Sequence, residues 1–212
     1  MKKLSMACYI LRNAKTYTSA SSLKMIYAFF HSAMSYGIIF WGNSSYSSII
    51  FRIQKKAIRI MDGCGNRVSC RNLIKKLQIL PLSSQYMLSL LISVVQNVNL
   101  FLTNNENHNT DTRQRNNLYL PQGNVTIYQI GAYYSGIKII NNLPLEIKIV
   151  FGNQKKFKIA LKKCLYTYSF YSVEDYLSHS WILYYITRFL IMVVHWFKIL
   201  SMGIMLVVMN CF

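Results

Sequence analysis

The chain has 212 residues, with 24 Lys and Arg against six Asp and Glu, and a formal net charge of +18. This length allows one domain, or one domain with a tail. The large excess of positive charge indicates a polyanionic partner, either nucleic acid or an anionic membrane surface. Because 53% of the residues are hydrophobic, a wholly disordered basic chain is excluded.

The first strongly periodic segment is SSLKMIYAFFHSAMSYGIIFWG, which predicts a helix capped at its start by Ser21 or Ser22. Gly37 and Gly42 bracket the sequence IIFW, and we expect a break or a close approach between elements there. The apolar positions that follow a 3.6-residue repeat are Leu23, Ile26, Tyr27, Phe30, Met34 and Ile38.

A second helix is predicted after GNSSYSS, whose Ser and Asn residues offer caps, and it ends near Met61 before the glycine-rich DGCGN. Arg52, Lys55, Lys56 and Arg59 fall within an arc of about 100° on this helix, and apolar residues fill most of the remaining circle. The pattern predicts one cationic and one buried face. It fits contact with nucleic acid, and it also fits an ordinary surface helix of a basic protein.

Two more helices complete a predicted bundle over residues 1–102. One lies in SCRNLIKKLQIL and ends before Pro81, and the other starts at that proline, in PLSSQYMLSLLISVVQNVNLFL. The apolar positions expected to face the bundle in this last helix are Tyr86, Leu90, Leu91, Val94, Val95, Val98 and Leu102.

Residues 103–124 are rich in Asn and Thr and predict a linker or loop, with Arg113 and Arg115 as its cations. Residues 125–178 predict a small C-terminal module that ends in a basic amphipathic helix. The apolar face of this helix comprises Phe157, Ala160, Leu161, Cys164 and Leu165. Its solvent face comprises Lys155, Lys156, Lys158, Lys162 and Lys163.

The apolar tail, residues 179–212, admits three interpretations. Residues 189–212 would extend about 36 Å as a helix, enough to span a bilayer. Lys198 opposes insertion by about 2.5–3.5 kcal/mol, whereas the Leu, Ile, Val and Phe residues favour it by about 4–8 kcal/mol. The tail is therefore a transmembrane anchor, a helix buried against the bundle, or read-through of A/T-rich sequence.

No catalytic or metal site emerges from the side-chain chemistry. The five cysteines, at positions 8, 64, 70, 164 and 211, are odd in number and include no C-x-x-C pair, so we expect reduced thiols and neither a zinc site nor a cofactor. The four histidines have no partner at catalytic spacing. The segment MKKLSMACYILRNAK lacks the apolar run of a secretory signal.

Six short motifs stand in a fixed order along the chain. The first three are Tyr-Gly with Trp-Gly, Gln-Lys-Lys-Ala-Ile-Arg, and Leu-x-Ile-Leu-Pro-Leu, at residues 36–42, 54–59 and 77–82. The fourth is a Thr-Arg step before an Asn-Leu pair, at Thr112, Arg113, Asn117 and Leu118. The fifth comprises Asn141, Leu143, Pro144, Ile147 and Lys148. The sixth comprises Phe157, Lys158, Leu161, Lys162, Phe170 and Tyr171.

This ordered set, spread over residues 1–177, resembles the region after the palm in the reverse transcriptase of jockey-like non-LTR retrotransposons. The resemblance implies a mainly α fold in which residues 1–102 form a thumb-like bundle that grips the template–primer, RNA or an RNA/DNA hybrid, by its backbone. The nucleic-acid-binding residues it favours are Arg52, Lys55, Lys56 and Arg59, with Arg113, Arg115, Tyr133 and Tyr134 as weaker candidates.

The catalytic motif of that family is missing. Its palm carries an aromatic-Ala-Asp-Asp turn, whose aspartates hold two magnesium ions, whereas the three aspartates here, Asp62, Asp111 and Asp175, are isolated from one another. We therefore expect a polymerase fragment without enzymatic activity. The alternative function is a small basic protein, intracellular and anchored in a membrane by its C-terminal tail.

Overall fold

The computed structural model describes residues 2–108 and 114–179. Over these residues the protein is mainly α, as predicted: it has twelve α-helices and no strand, and one isolated antiparallel bridge joins Thr103 to Leu118. The described residues up to Leu177 form one compact unit. The predicted transmembrane or read-through tail lies almost wholly outside the described residues.

The helices follow one another at short intervals. The first six are α1 (Lys2–Lys15), α2 (Ala20–Ser35), α3 (Ile38–Trp41), α4 (Ser47–Asp62), α5 (Cys70–Leu77) and α6 (Leu82–Gln96). A 3-10 turn at Val98–Leu100 precedes α7 (Asn104–His108), α8 (Thr126–Ile130), α9 (Ala132–Asn141), α10 (Leu145–Ile149), α11 (Gln154–Tyr168) and α12 (Val173–Leu177).

Helix α6 is the centre of the compact unit. It packs against α3, α4, α9, α11 and α12, while α1, α2 and α4 pack against one another. Its buried residues include five of the seven apolar positions predicted from the sequence, Tyr86, Leu90, Leu91, Val94 and Val95. The other two, Val98 and Leu102, are exposed because α6 ends at Gln96, so that part of the prediction is wrong.

The starts of α2 and α4 differ from expectation. Helix α2 is capped by Ser19, whose hydroxyl accepts from the Ser22 N–H, the spacing that an N-cap side chain requires. Ser21 and Ser22 therefore lie inside the helix. Tyr46 precedes α4 without a side-chain cap, so the neighbouring serines do not have the capping role that was predicted.

The glycines that bracket IIFW have the roles that the sequence predicted. Gly37 breaks the chain between α2 and α3 with a left-handed φ of 61°. At Gly42 an added Cβ would lie 2.5 Å from the Tyr86 ring, so only glycine lets this turn approach α6. The predicted stop after α4 is also confirmed, because Gly63 ends that helix with a φ of 85°.

Helices from the second half of the chain share the core of α6. An added Cβ on Gly136, in α9, would lie 2.9 Å from Val94. Within the predicted linker, both backbone groups of Leu118 hydrogen-bond the Asn141 side chain, at 3.0 and 2.8 Å. Lys148 Nζ donates to the Asn141 carbonyl at 2.7 Å. These contacts attach the chain around Leu118 to α9 and α10.

One buried amide joins three elements of the bundle. Gln54, on α4, is 0% exposed. Its Nε2 donates to Tyr27 Oη at 3.2 Å and to the Leu80 carbonyl at 2.8 Å, and its Oε1 accepts from Leu82 N at 2.9 Å. A buried polar side chain of this kind stabilises the fold only when its donors and acceptors are paired, as they are here.

We expect Gln54→Met to lower the free energy of unfolding by about 1–3 kcal/mol, because the swap nearly conserves volume but leaves the Leu82 N–H and the Leu80 carbonyl buried without this partner. Urea denaturation followed by circular dichroism measures the change. Gln96→Met, at the exposed end of α6, is the matched control and should shift stability by less than about 0.5 kcal/mol. Equal stability of the two variants would contradict the role of Gln54.

We expect Gly42→Ala to destabilise the protein by about 1–3 kcal/mol, because the new methyl group overlaps the Tyr86 ring. Gly65→Ala is the control, since nothing lies within 4 Å of its added Cβ. Thermal denaturation of both variants checks this, and a Gly42→Ala protein as stable as Gly65→Ala would refute the close approach.

Candidate nucleic-acid interface

The side of α4 that faces away from its buried residues carries four cations, Arg52, Lys55, Lys56 and Arg59, which we call the cationic face of α4. Phe51, Gln54, Ala57 and Ile58 are the buried residues of the same helix. Within the described residues none of the four cations forms an ion pair, so their charge is not neutralised by the protein.

Two of the four cations are oriented by contacts with their own chain, and two are free in solvent. Lys55 Nζ lies 4.7 Å from the centroid of the Phe51 ring, and Arg59 Nε donates to the Val68 carbonyl at 2.9 Å. Arg52 and Lys56 are exposed. Arg59 keeps its two terminal amino groups available, which is the part of a guanidinium that pairs with a phosphate.

Two further cations flank this face, and the sequence did not identify them. The Cys8 thiol of α1 lies 3.9 Å from the Ile53 carbonyl, and burial raises its pKa while the charges of Lys56 and Arg12 lower it. Arg12 stands one turn after Cys8 on α1 and Lys56 about one turn after Ile53 on α4, so both cations lie near this contact. Arg67 is exposed in the loop beside Val68, the residue that holds Arg59. Only tertiary contacts reveal both neighbours.

Asp175 belongs to a cluster that joins α12 to α4 and α5. Arg71 lies 3.8 Å from Asp175 and stacks over the Tyr171 ring at 4.7 Å. The Tyr171 N–H also donates to Asp175, at 3.1 Å, and its ring meets Phe51 edge-on at 4.9 Å. These contacts attach α12 to α4 and α5, and they leave the four cations of the face unpaired.

The end of α4 carries a second acidic cluster. Asp62 accepts from the Cys64 thiol at 2.8 Å and from Lys76 Nζ at 2.7 Å, and these bonds hold the pKa of the carboxyl below its usual range. The same carboxylate raises the pKa of the Cys64 thiol and of the Lys76 ammonium. Asp62 therefore joins the end of α4 to Lys76 on α5. Because it raises the pKa of the Cys64 thiol, it also makes Cys64 a poor nucleophile at neutral pH.

The weaker candidates have different positions. Arg113 lies outside the described residues, and Arg115 is exposed beside that gap. Tyr133 stacks on Phe101 with the ring centroids 5.0 Å apart, and Tyr134 meets Tyr128 edge-on at 5.7 Å. Each tyrosine therefore has an aromatic partner within the protein, which favours a packing role over base stacking.

In the part of the chain that the structure describes, no three His, Cys, Asp or Glu side chains come together as a metal site would require. No single helix there has the length and apolar composition to cross a membrane, although the bent pair α5 and α6 meets that test by length and composition alone. Comparison with protein-family models, with curated proteins and with solved structures finds no match.

We expect Tyr133→Leu to lower the free energy of unfolding by about 0.5–1.5 kcal/mol, because it removes the aromatic contact with Phe101. The affinity for oligonucleotides should not change. Urea denaturation and fluorescence anisotropy measure the two effects. Tyr36→Leu is the stability control, because Tyr36 is 86% exposed. Loss of RNA affinity in Tyr133→Leu without loss of stability would instead assign Tyr133 to a binding surface.

Proposed function

We propose that this protein binds the sugar–phosphate backbone of nucleic acid through the cationic face of α4, as a polymerase fragment derived from a non-LTR retrotransposon that does not itself add nucleotides. The observation that carries the proposal is a row of four cations, unpaired within the described residues, on one side of a helix whose other side is buried in the bundle. The four positive charges repel one another unless a bound polyanion neutralises them.

The dimensions of this face suit a phosphate row. Arg52 and Arg59 are seven residues apart, or about 10 Å along the helix axis at about 1.5 Å per residue. That length equals the rise of about three base pairs along a duplex axis, at about 3.4 Å each. The face can therefore lie along a duplex and approach phosphates over that stretch without distortion of α4.

The side-chain chemistry favours backbone contact over base reading. The face contains Arg and Lys alone, and the amide on the same helix, Gln54, is buried in the bundle. Phosphate contacts of this kind position a duplex without regard to sequence. We therefore expect binding to be salt-dependent and to discriminate poorly between sequences.

The proposal does not include nucleotide addition, because neither of the two described aspartates stands beside a second aspartate. Asp62 is held by Cys64 and Lys76, and Asp175 by Arg71 and the Tyr171 N–H. Asp111 stands alone in the sequence. We therefore propose that the fragment holds RNA or an RNA/DNA hybrid.

The test is titration of the full-length chain with a fluorescein-labelled RNA/DNA hybrid of mixed sequence at several salt concentrations. Four phosphate contacts predict a slope of log affinity against log salt of about −3 to −4. The variant with Arg52, Lys55, Lys56 and Arg59 all changed to Gln should lose most of that slope, and its affinity at low salt should fall by at least about tenfold.

The control removes the same charge elsewhere. Lys2, Lys3, Lys138 and Lys158 are exposed on α1, α9 and α11, and their replacement by Gln should change the slope far less. Equal losses in the two quadruple variants would show that net charge alone drives binding, and a flat salt response of the wild type would refute backbone binding altogether.

A further inference from the structure

A groove runs between α2, the turn that joins α5 to α6, and α11. It contains two cavities of about 550 and 540 Å³, and Gln78, Lys162 and Tyr166 line both of them. The two cavities therefore adjoin, and we call them together the α2–α11 groove. Both are open to solvent, and their volumes fall in the range of about 300–1,000 Å³ that is typical of ligand-binding clefts.

The charge in this groove has one sign. Lys24, Lys75, Lys162 and Lys163 line it, and its described lining residues include no Asp or Glu. None of the four lysines forms an ion pair with another described residue. Four ammonium groups around one depression repel one another, so the groove attracts a ligand with several negative charges.

The groove also offers an aromatic surface beside one of these cations. Tyr166 is half-buried where the two cavities meet, and Lys162 Nζ lies 5.7 Å from the centroid of its ring. An aromatic ring next to an ammonium group matches the two parts of a nucleotide, because bases stack on tyrosine and phosphates pair with lysine.

This site is separate from the cationic face of α4. Met61 lines the groove and stands nine residues after Arg52. At about 100° per residue, nine residues place Met61 on the opposite side of the helix from Arg52. A ligand in the groove and a ligand on the cationic face would therefore contact different sides of the protein.

We propose that the α2–α11 groove binds a single strand of nucleic acid, with an unpaired base against Tyr166 and the adjoining phosphates on Lys162, Lys163 and Lys75. A single strand fits this groove better than a duplex because paired bases have no free face for Tyr166. The proposal does not require the cationic face of α4 to bind anything, since it involves other residues.

The first test measures binding of fluorescein-labelled oligouridylate, twelve nucleotides long, to the full-length chain by anisotropy. Tyr166→Leu should weaken binding about 5- to 150-fold, the loss of one stacked base, and Tyr166→Phe should stay within about threefold of the wild type because it keeps the ring. An abasic strand of equal length should bind the wild type and Tyr166→Leu equally.

The second test measures the charge contribution. Lys162→Gln with Lys163→Gln should make the salt slope for the oligouridylate shallower by about 1.4, at about 0.7 for each phosphate contact on a single strand. Lys155→Gln with Lys156→Gln is the matched control, because both lysines are exposed on the same helix, outside the residues that line the groove. The control variant should keep most of the wild-type slope.

A crosslinking measurement on the unmodified chain avoids any dependence on variant folding. A 5-bromouridine strand should crosslink to Tyr166 under ultraviolet light, and excess unlabelled oligouridylate should suppress the product. Crosslinks confined to α4, or equal binding by Tyr166→Leu and the wild type, would overturn the proposal. Uridine monophosphate that matched the affinity of the strand would overturn it too, because the site would then hold a free nucleotide.

These outcomes are independent of the hybrid titration. The quadruple variant of the α4 face should retain stacking on Tyr166, seen as preference for oligouridylate over the abasic strand. A groove that prefers vesicles with anionic headgroups, with no difference between oligouridylate and the abasic strand, would contradict the single-strand assignment while leaving the function of α4 intact.

Discussion

The arrangement of the bundle depends on the amide of Gln54. Its three hydrogen bonds tie α4 to α2 through Tyr27 and to the start of α6 through Leu80 and Leu82. Because Gln54 must lie inward to make them, the rotation of α4 about its axis is fixed. Arg52 stands two residues earlier, about 200° around the helix, and therefore faces solvent. A buried polar contact thus determines where the cations lie.

The motifs that carry the retrotransposon resemblance contact one another in the fold. Gln54 from one motif bonds the Leu80–Leu82 turn of another. The Asn141 side chain hydrogen-bonds both backbone groups of Leu118, and Lys148 Nζ donates to Asn117 Oδ1 at 3.3 Å. Contacts between motifs that are distant in the sequence become visible only in the folded chain.

The sequence predicted local features, such as the periodicity and the ends of helices, but it did not predict contacts between distant residues. The 3.6-residue repeats in α2, α4, α6 and α11 and the stops at Gly37 and Gly63 follow from side-chain periodicity and backbone sterics, and the structure confirms them. The burial of Gln54 was not predicted, because a helical wheel does not show that a polar residue has buried partners. The α2–α11 groove could not be predicted from the sequence either, because residues from several separate elements line it.

The most direct measurement of the central claim is lysine acylation of the full-length chain, read by mass spectrometry with and without a saturating RNA/DNA hybrid. Lys55 and Lys56 should be protected by the hybrid, while Lys2 and Lys3 on α1 should react at unchanged rates. Uniform protection of every lysine, or unchanged reactivity at Lys55 and Lys56 in a complex shown to be saturated, would contradict the assignment of the cationic face of α4 to the nucleic-acid backbone.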